Sequence, residues 1–401
     1  MALINENFLK LPESYLFSDI KKKVEAFKHL HPDANIISLG IGDVTRPIAP
    51  VVIEALHAAV DEMGDSKTFR GYGPEQGYDF LQKKIIENDY IHRGVDLAPD
   101  EIFISDGAKS DIGNIGDILS MQNRVAVTDP VYPVYIDTNV MGGRAGNIAK
   151  DGQHWDNIIY IPCISENNFI PEPPSVRPDI IYLCYPNNPT GKILSEKESG
   201  ILFDIVKQHQ IYLISDEIYN RITFDSKKSI SMASYKEIFN RVITVNGFSK
   251  SAAMTGWRIG YVIAEKKIVD VMFKLYAHTI TGLSPFVQRA ALKVFECDLE
   301  IKKMRKEYER RRDYFIRELN KIKFLSCLVP EGAFYAWVKI QLPNITKSVE
   351  LELLERIGVL GVPGSAYGIR EKNYIRFSFA CDMKTLEQAI CRLQRLENEF
   401  A

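Results

Sequence analysis

Residues 246–258 read Asn-Gly-Phe-Ser-Lys-Ser-Ala-Ala-Met-Thr-Gly-Trp-Arg, and this stretch decides the fold class. Lys250 stands in a small, polar turn after an apolar run, and Arg258 follows eight residues later. A lysine that forms a Schiff base must lose its proton, and burial near a second cation favours that loss. An arginine fork binds phosphate. A lone lysine after a strand is usually a surface residue, but the full Ser-Lys-x7-Arg pattern indicates a site for a phosphate-bearing carbonyl compound.

A carboxylate and a tyrosine follow the apolar run 211–214. Asp216 comes at the end of this predicted strand, and Tyr219 follows three residues later. A buried carboxylate opposite a pyridine nitrogen keeps that nitrogen protonated, so that the ring accepts electrons. An acid at the end of a strand can instead cap a helix. The position of Asp216, one βαβ unit before Lys250, favours the catalytic interpretation.

Two polar turns follow other predicted strands. Residues 185–191 read Tyr-Pro-Asn-Asn-Pro-Thr-Gly, and the amide of Asn188 lies where ligands bind in α/β proteins, at the carboxyl end of a strand. Residues 104–109 read Ile-Ser-Asp-Gly-Ala-Lys and open an amphipathic helix, whose free N–H groups suit a phosphate. Either segment could also be an ordinary turn, because Asn, Pro and Gly dominate turns.

An arginine near the C-terminus alternates with apolar residues. Residues 374–379 read Tyr-Ile-Arg-Phe-Ser-Phe, so Arg376 points to one face of a predicted strand and needs an anion there. The α-carboxylate of a substrate suits a bidentate guanidinium. A structural ion pair is the alternative.

Short apolar runs alternate with amphipathic stretches through the middle of the chain. This alternation predicts an α/β fold with a mostly parallel mixed sheet flanked by helices. The predicted strands are 101–105, 124–127, 179–184, 211–214, 242–245 and 258–263, and predicted helices include 76–88, 108–120 and 196–209.

A long charged run at about 296–322 separates two predicted domains. Glu alternates there with Lys and Arg, which is typical of a solvated helix with i,i+4 ion pairs and not of a nucleic-acid surface. We predict a large domain over 46–295 and a smaller α+β domain over 296–401. An N-terminal arm over 1–45 would pack with the smaller domain.

Composition excludes several classes of protein. The 401 residues carry a net charge of −2, with 46% hydrophobic and 25% charged residues, so neither nucleic acid nor a membrane is an expected partner. The N-terminus lacks the apolar run of a signal peptide, and no run is long enough to span a bilayer. The six cysteines form no C-x-x-C pair and no metal-ligand spacing, so we expect a reduced, cytoplasmic location and no metal.

In this order, and over nearly the whole chain, these motifs resemble the fold-type I aminotransferases, which use pyridoxal 5′-phosphate (PLP). The resemblance implies that Lys250 is the Schiff-base lysine and proton carrier, and that Asp216 pairs with the pyridine nitrogen. It also implies that Arg376 binds the substrate carboxylate. The remaining cofactor contacts that it implies are Tyr219 and Asn188 at the ring oxygen, Tyr132 stacked on the ring, and Ala108, Lys109, Ser249 and Arg258 around the phosphate.

The first half of the chain resembles one branch, the LL-diaminopimelate aminotransferases. The resemblance is carried by Leu-Pro-Glu-Ser-Tyr at 11–15, Leu-Gly-Ile-Gly-Asp at 39–43, Thr-Phe-Arg-Gly-Tyr-Gly-Pro-Glu-Gln-Gly at 68–77, Ser-Asp-Gly-Ala-Lys-Ser at 105–110 and Asp-Pro-Val-Tyr-Pro-Val-Tyr at 129–135. Such enzymes interconvert LL-diaminopimelate plus 2-oxoglutarate with tetrahydrodipicolinate plus glutamate, in lysine biosynthesis.

A substrate with an amino acid at both ends needs partners for its distal ammonium and carboxylate. Glu75 is the candidate for the ammonium, and Lys109 and the hydroxyl of Tyr15 are candidates for the carboxylate. The resemblance further implies a homodimer in which Tyr15, Tyr72 and Glu75 reach into the neighbouring subunit's site. It implies that Tyr72 contacts the cofactor there. Gly40, Gly42, Tyr132 and Asn188 complete the implied substrate contacts.

The second half leaves other functions open. Met-Thr-Gly-Trp-Arg-Ile-Gly at 254–260 and Pro-Glu-Gly-Ala-Phe-Tyr at 330–335 resemble general aspartate-type aminotransferases. The chain departs from the diaminopimelate branch at Pro285, where Asn is expected, and has Gly247 where many relatives have a phosphate-binding Ser. A general aspartate or aromatic aminotransferase and a PLP lyase or decarboxylase on the same scaffold are therefore alternatives. A regulatory protein would need an added DNA-binding module, for which the chain has no spare length.

Overall fold

The computed structural model describes residues 2–11, 16–150, 152, 154–342, 347–368, 370 and 372–399, with the backbone alone for 16–21. No helix within these ranges is long and apolar enough to cross a bilayer.

Seven strands form the large central sheet. In chain order after the short strand β1 (Ile37–Ser38), they are β2 (Ile102–Ser105), β3 (Val125–Asp129), β4 (Ile158–Pro162), β5 (Ile180–Cys184), β6 (Tyr212–Asp216), β7 (Val242–Gly247) and β8 (Gly260–Ile263). Their spatial order is β2-β8-β7-β6-β5-β3-β4, and β8 runs antiparallel to both of its neighbours. The predicted mostly parallel mixed sheet is confirmed.

Full burial explains why most strands of the large sheet could be predicted from the sequence. All residues of β2, β3, β5, β7 and β8 are buried, because helices cover both faces, so these strands read as continuous apolar runs. The edge strand β4 was not predicted. Its sequence, Ile-Ile-Tyr-Ile-Pro, is itself an apolar run, so its composition does not explain the omission.

Helices surround this sheet. Those that precede, connect or directly follow its strands are α1 (Glu6–Leu9), α2 (Leu16–Leu30), α3 (Pro50–Asp61), α4 (Asp79–Ile85), α5 (Ala108–Ile118), α6 (Val134–Met141), α7 (Glu196–His209), α8 (Phe248–Ser251), α9 (Lys266–Thr279) and α10 (Pro285–Ala291). The predicted helix 196–209 coincides with α7, which begins at a capping box. Ser195 Oγ accepts from Glu198 N at 3.3 Å, and Glu198 Oε2 accepts from Ser195 N at 2.6 Å.

The C-terminal part forms a smaller antiparallel sheet with its own helices. Its remaining elements are α11 (Asp298–Leu319), β9 (Leu325–Cys327), β10 (Tyr335–Ile340), α12 (Val349–Ile357), β11 (Val359–Leu360), β12 (Val362–Pro363), β13 (Tyr374–Ser378) and α13 (Met383–Glu399). The strand order is β12-β13-β10-β9, and β1 pairs with β11 in a separate two-stranded ladder. The N-terminal arm thus pairs with the C-terminal part.

The charged run becomes α11, in which Glu307 pairs with Arg311 at the predicted i,i+4 spacing and with Arg310 at i,i+3. Glu307 accepts from Arg310 and Arg311, each at 2.9 Å, and these hydrogen bonds lower the pKa of Glu307 to about 2. One buried apolar cluster nevertheless includes residues of both sheets, such as Val245 of β7 and Phe377 of β13. The proposed boundaries at residues 45 and 295 stay a prediction.

Candidate active site

The carboxyl ends of β5, β6 and β7 meet at one edge of the large sheet. Because these strands are parallel neighbours, the segments that follow them lie side by side. Asn188 follows β5, Asp216 ends β6, and Lys250 lies on α8 immediately after β7. Three segments that are distant in sequence therefore supply one site.

Lys250 is placed where its amine loses a proton easily. Its Nζ donates to the carbonyl oxygen of Gly42 at 2.7 Å and lies 5.6 Å from the centre of the Phe334 ring. Burial lowers the pKa of Lys250 to about 8. The negative charge of Asp43 opposes this decrease, and the positive charges of Arg376 and Arg258 add to it. The amine therefore has the properties that the sequence motif predicted.

Asp216 is a buried carboxyl held by two donors. Its Oδ2 accepts from the hydroxyl of Tyr135 at 2.8 Å, and its Oδ1 accepts from the backbone N–H of Ile218 at 3.1 Å. Burial raises the pKa of Asp216 to about 6, although both hydrogen bonds oppose the rise. The carboxyl is thus fixed in orientation and ready to pair with a cation.

A corner whose geometry suits an anion forms where α5 begins. The helix starts after Gly107, whose φ of 121° is rarely adopted by residues with a side chain. A Cβ at Gly107 would lie 2.6 Å from Nη2 of Arg258, so the missing side chain lets the guanidinium approach the helix N-terminus. Free N–H groups and a positive dipole end are thereby placed beside an arginine.

The departure at Gly247 has a steric cause. A Cβ at this position would lie 2.9 Å from both the Cα of Gly260 and the carbonyl oxygen of Ile259, in the neighbouring strand segment. Because the backbones approach so closely, a serine is not accommodated there.

Arg376 lies deep in the wall of the site. Its Nη1 donates to Oδ1 of Asn188 at 3.0 Å and its Nη2 donates to the carbonyl of Gly40 at 2.7 Å. The guanidinium carbon lies 4.2 Å from the centre of the Tyr335 ring. These contacts fix the arginine and join the N-terminal segment to β13.

Sequence reasoning missed two tyrosines. Tyr135 supplies a donor to Asp216, and Tyr335 exchanges a hydrogen bond of 2.8 Å with the hydroxyl of Tyr219 while its ring packs on Arg376. The motifs at 129–135 and 330–335 contain both residues. No local pattern shows which of their aromatic side chains face the site.

These residues enclose a cavity of about 420 Å³. The predicted site residues that line it are Gly42, Ala108, Lys109, Tyr132, Asn188, Asp216, Tyr219, Ser249, Lys250, Arg258 and Arg376. Gly40 contributes through its carbonyl contact with Arg376.

Two of the predicted residues are not brought to this cavity, and a third is not among those described. Tyr72 is 91% exposed and Glu75 is half-buried, and neither lines the cavity of its own chain. Tyr15 lies outside the described residues. The roles assigned to all three depend on a neighbouring subunit, so they stay predictions.

Comparison with known proteins shows the family. The family model "Aminotransferase class I and II" matches residues 34–393. The chain belongs to the class I and II aminotransferases. The prediction of a PLP-dependent aminotransferase is confirmed, since members of this family are PLP-dependent enzymes.

Individual relatives point to one branch of the family. Proteins named LL-diaminopimelate aminotransferase, from Phocaeicola vulgatus and Bacteroides thetaiotaomicron, are each 43% identical to this aminotransferase, with 98% of this chain and 99% of the relative covered. The solved structure of L,L-diaminopimelate aminotransferase from Chlamydomonas reinhardtii has a TM-score of 0.89 and 31% identity, covering 98% of each chain. The resemblance to this branch is confirmed.

A solved aspartate aminotransferase is also similar. The Thermotoga maritima enzyme has a TM-score of 0.85 and 27% identity, and 98% of this chain and 100% of that chain are covered. The fold is therefore shared with general aminotransferases, and substrate choice depends on side chains at the site.

Proposed function

We propose that this aminotransferase transfers an amino group between LL-diaminopimelate and 2-oxoglutarate, in lysine biosynthesis, with PLP held by Lys250. The observation that carries the proposal is the convergence of Lys250, Asp216 and Arg376 on one cavity. The names of the relatives, at 43% identity over nearly their full length, support the choice of substrate.

The cavity suits PLP in shape and charge. It contains the amine of Lys250, whose pKa is lowered. It also contains the buried carboxyl of Asp216, whose pKa of about 6 allows it to pair with a cation at neutral pH. The corner at Gly107 and Arg258 suits a phosphate. Bound there, PLP supplies a sink for the electron pair that is released at the substrate Cα.

Each wall of the cavity would hold a different part of the cofactor. Asp216 would pair with the pyridine nitrogen, and Tyr219 and Asn188 would donate to the ring oxygen. Burial raises the pKa of Tyr219 well above its usual value, so its hydroxyl keeps the proton that it donates. The phosphate and the ring face would be bound by Ala108, Lys109, Ser249, Arg258 and Tyr132.

Lys250 would move the proton at the substrate Cα. With a pKa of about 8, roughly a tenth of the amine is unprotonated at pH 7, against less than about a thousandth for an ordinary lysine. An unprotonated amine is required of a general base. The carbonyl of Gly42 orients it through the 2.7 Å hydrogen bond.

Arg376 would bind the α-carboxylate at the reacting end. Asn188 and Gly40 already fix its guanidinium, so little ordering entropy is lost when a carboxylate binds. The distal carboxylate would meet Lys109 and Tyr15, and the distal ammonium would meet Glu75. Gly42 and Tyr132 line the same space.

We further propose a homodimer with shared sites and a cytoplasmic location. Phe69 and Tyr72 are 60% and 91% exposed on one loop, which is costly for large aromatic side chains unless another surface covers them. A partner's site would cover them. The six cysteines are all free thiols, in keeping with a reducing compartment.

The test is a substrate comparison on the purified enzyme. LL-diaminopimelate and aspartate are each supplied with 2-oxoglutarate, and glutamate is measured. We expect glutamate formation to be much faster with LL-diaminopimelate. Faster use of aspartate would establish the general aminotransferase, and release of CO2 or ammonia without glutamate would establish a lyase or decarboxylase.

The cofactor is tested separately from the substrate. The purified protein should be yellow, and borohydride reduction followed by peptide mass spectrometry should place the pyridoxyl group on Lys250. The Lys250→Ala variant should carry no reducible attachment. A pyridoxyl group on Lys109 or another lysine would overturn the assignment of the site.

A further inference from the structure

A second carboxylate lies directly beside Asp216. Glu217 has 1% of its side chain exposed, and it points away from the cavity into the protein. Its Oε1 accepts from the hydroxyl of Ser231 at 2.8 Å and from the backbone N–H of Met232 at 3.2 Å. Asp216 and Glu217 are thus two buried carboxyl groups that are adjacent in the chain.

Arg93 neutralises this second carboxylate. Its Nη2 lies 2.5 Å from Oε2 of Glu217, and its guanidinium carbon lies 5.2 Å from the centre of the Tyr90 ring. The arginine side chain is 16% exposed, so solvent screens the pair only weakly. The pair lies outside the cavity that would hold the cofactor.

The groups around Asp216 come from several elements. Tyr135 faces it from α6, Cys184 from β5 and Asp111 from α5, and Glu217 follows it in the chain. Burial is the largest cause of the raised pKa of Asp216, and the charge of Glu217 raises it further. Arg93 pairs with Glu217, so its positive charge offsets part of the negative charge beside Asp216.

We propose that Arg93 is a positioning residue that, through Glu217, keeps Asp216 ionised opposite the pyridine nitrogen. An unpaired Glu217 would repel charge on Asp216 and favour its protonated form, which cannot pair with a pyridinium. The inference rests on the proposed function, because it assumes that Asp216 pairs with the ring nitrogen.

The experiment removes the charges of Arg93 and Glu217 singly and together, and measures how each change affects PLP binding. Full-length apo protein is titrated with PLP between pH 5 and pH 9, and the midpoint of the acidic limb of the affinity is recorded. The variants are Arg93→Met, Glu217→Gln and the double variant. Arg221→Met is the matched control, because Arg221 pairs with Asp89 at 3.1 Å with similarly low exposure, but this pair does not adjoin Asp216.

The expected shifts have opposite signs. Arg93→Met should move the acidic midpoint up by about one pH unit or more, because a like charge is left unpaired beside Asp216. Glu217→Gln should move it down, because Arg93 then acts alone. The double variant should return close to wild type, and Arg221→Met should leave the midpoint unchanged.

Several results overturn the inference. Equal shifts in Arg93→Met and Arg221→Met would reveal a merely structural effect, and so would a double variant that behaves like Arg93→Met. If Arg93→Met does not fold, an unshifted acidic midpoint of PLP affinity in Glu217→Gln is enough to reject the inference. Wild-type protein that binds no PLP at any pH would instead reject the proposed function itself.

Discussion

At the scale of single residues, the environment of Asp216 determines how it can act. Burial disfavours its charge, whereas the hydroxyl of Tyr135 and the N–H of Ile218 favour it. The balance leaves a pKa of about 6, so the free carboxyl ionises just below neutral pH. A cationic ring nitrogen would then gain a strong, desolvated partner.

Removal of the carboxylate should abolish most of the activity. In Asp216→Ala, the ring nitrogen has no anionic partner and loses its proton more easily, which removes the electron sink. We expect kcat to fall at least a few hundredfold, on the order of 3 kcal/mol or more in the barrier. Steady-state kinetics measure this loss. A variant within threefold of wild type would show that another acid has this role.

Removal of one hydrogen bond should shift the pH profile instead. Tyr135→Phe deletes a donor that lowers the pKa of Asp216, so that pKa rises above about 6. The acidic limb of kcat/KM should move up by roughly half to one pH unit, and activity at pH 8 should change much less.

The control for this prediction is Tyr182→Phe. Tyr182 stacks on Tyr135 with ring centres 5.6 Å apart, but its hydroxyl makes no hydrogen bond to Asp216 in the described part of the chain. Tyr182→Phe should leave the acidic limb of kcat/KM at its wild-type pH. If the acidic limb of kcat/KM lies at the same pH in Tyr135→Phe and Tyr182→Phe, the hydroxyl of Tyr135 does not influence the ionisation of Asp216.

At the scale of elements, the start of α5 is shaped by one glycine. Gly107 combines a φ of 121° with close contact to the guanidinium of Arg258. Both features are needed for the arginine and the first N–H groups of the helix to face the same anion. The helix end is therefore part of the proposed phosphate site and not only a structural terminus.

Gly107→Ala should weaken PLP binding. The added methyl group strains the backbone by about 1–3 kcal/mol and displaces Arg258, so we expect at least a roughly tenfold loss of PLP affinity. Gly113→Ala is the control on the same helix, since its Cβ would meet no atom within 4 Å outside its own helix. That variant should be slightly more stable than wild type. Thermal unfolding and PLP titration distinguish them, and equal PLP affinities would contradict the proposed site.

At the scale of the whole molecule, the described residues that line the cavity include one carboxylate, Asp216, which is assigned to the cofactor and leaves none for a distal ammonium. The carboxylate proposed for it, on Glu75, does not line this cavity. If the homodimer shares its sites as proposed, Glu75 acts in the partner's site. Substrate choice is then a property of the assembly.

Glu75→Gln should separate the substrates. It keeps the shape and removes the charge, and loss of one partner of a desolvated pair costs about 2–5 kcal/mol. We expect kcat/KM for LL-diaminopimelate to fall roughly thirtyfold or more, with a much smaller effect on glutamate. Equal losses for both substrates would indicate that Glu75 only supports the start of α4.

A hybrid dimer tests whether Glu75 acts across the interface. Lys250→Ala and Glu75→Gln chains are mixed after reversible dissociation. If Glu75 acts in the partner's site, one site of each hybrid has both native residues, and activity should rise well above that of either variant. Activity no higher than that of the Glu75→Gln homodimer would place Glu75 in its own chain's site.

The sequence by itself determined most strands of the large sheet and pointed to the candidate site residues. Continuous apolar runs predict fully buried strands, and each site motif directly follows or lies within such a run. Lys250, Asp216, Asn188 and Arg376 were therefore proposed from local patterns, and the structure brings them to one cavity. A residue whose role depends on its own strand and turn is predictable from local sequence.

Only the tertiary structure decided which distant side chains meet. The Tyr135 hydroxyl reaches Asp216 across 81 positions of sequence, and Arg93 reaches Glu217 across 124. Neither pair leaves a local pattern, because each contact depends on how two elements pack and not on the propensity of either. Short segments of sequence are enough to recognise the motif residues, whereas the electrostatic surroundings of Asp216 form only when the chain folds.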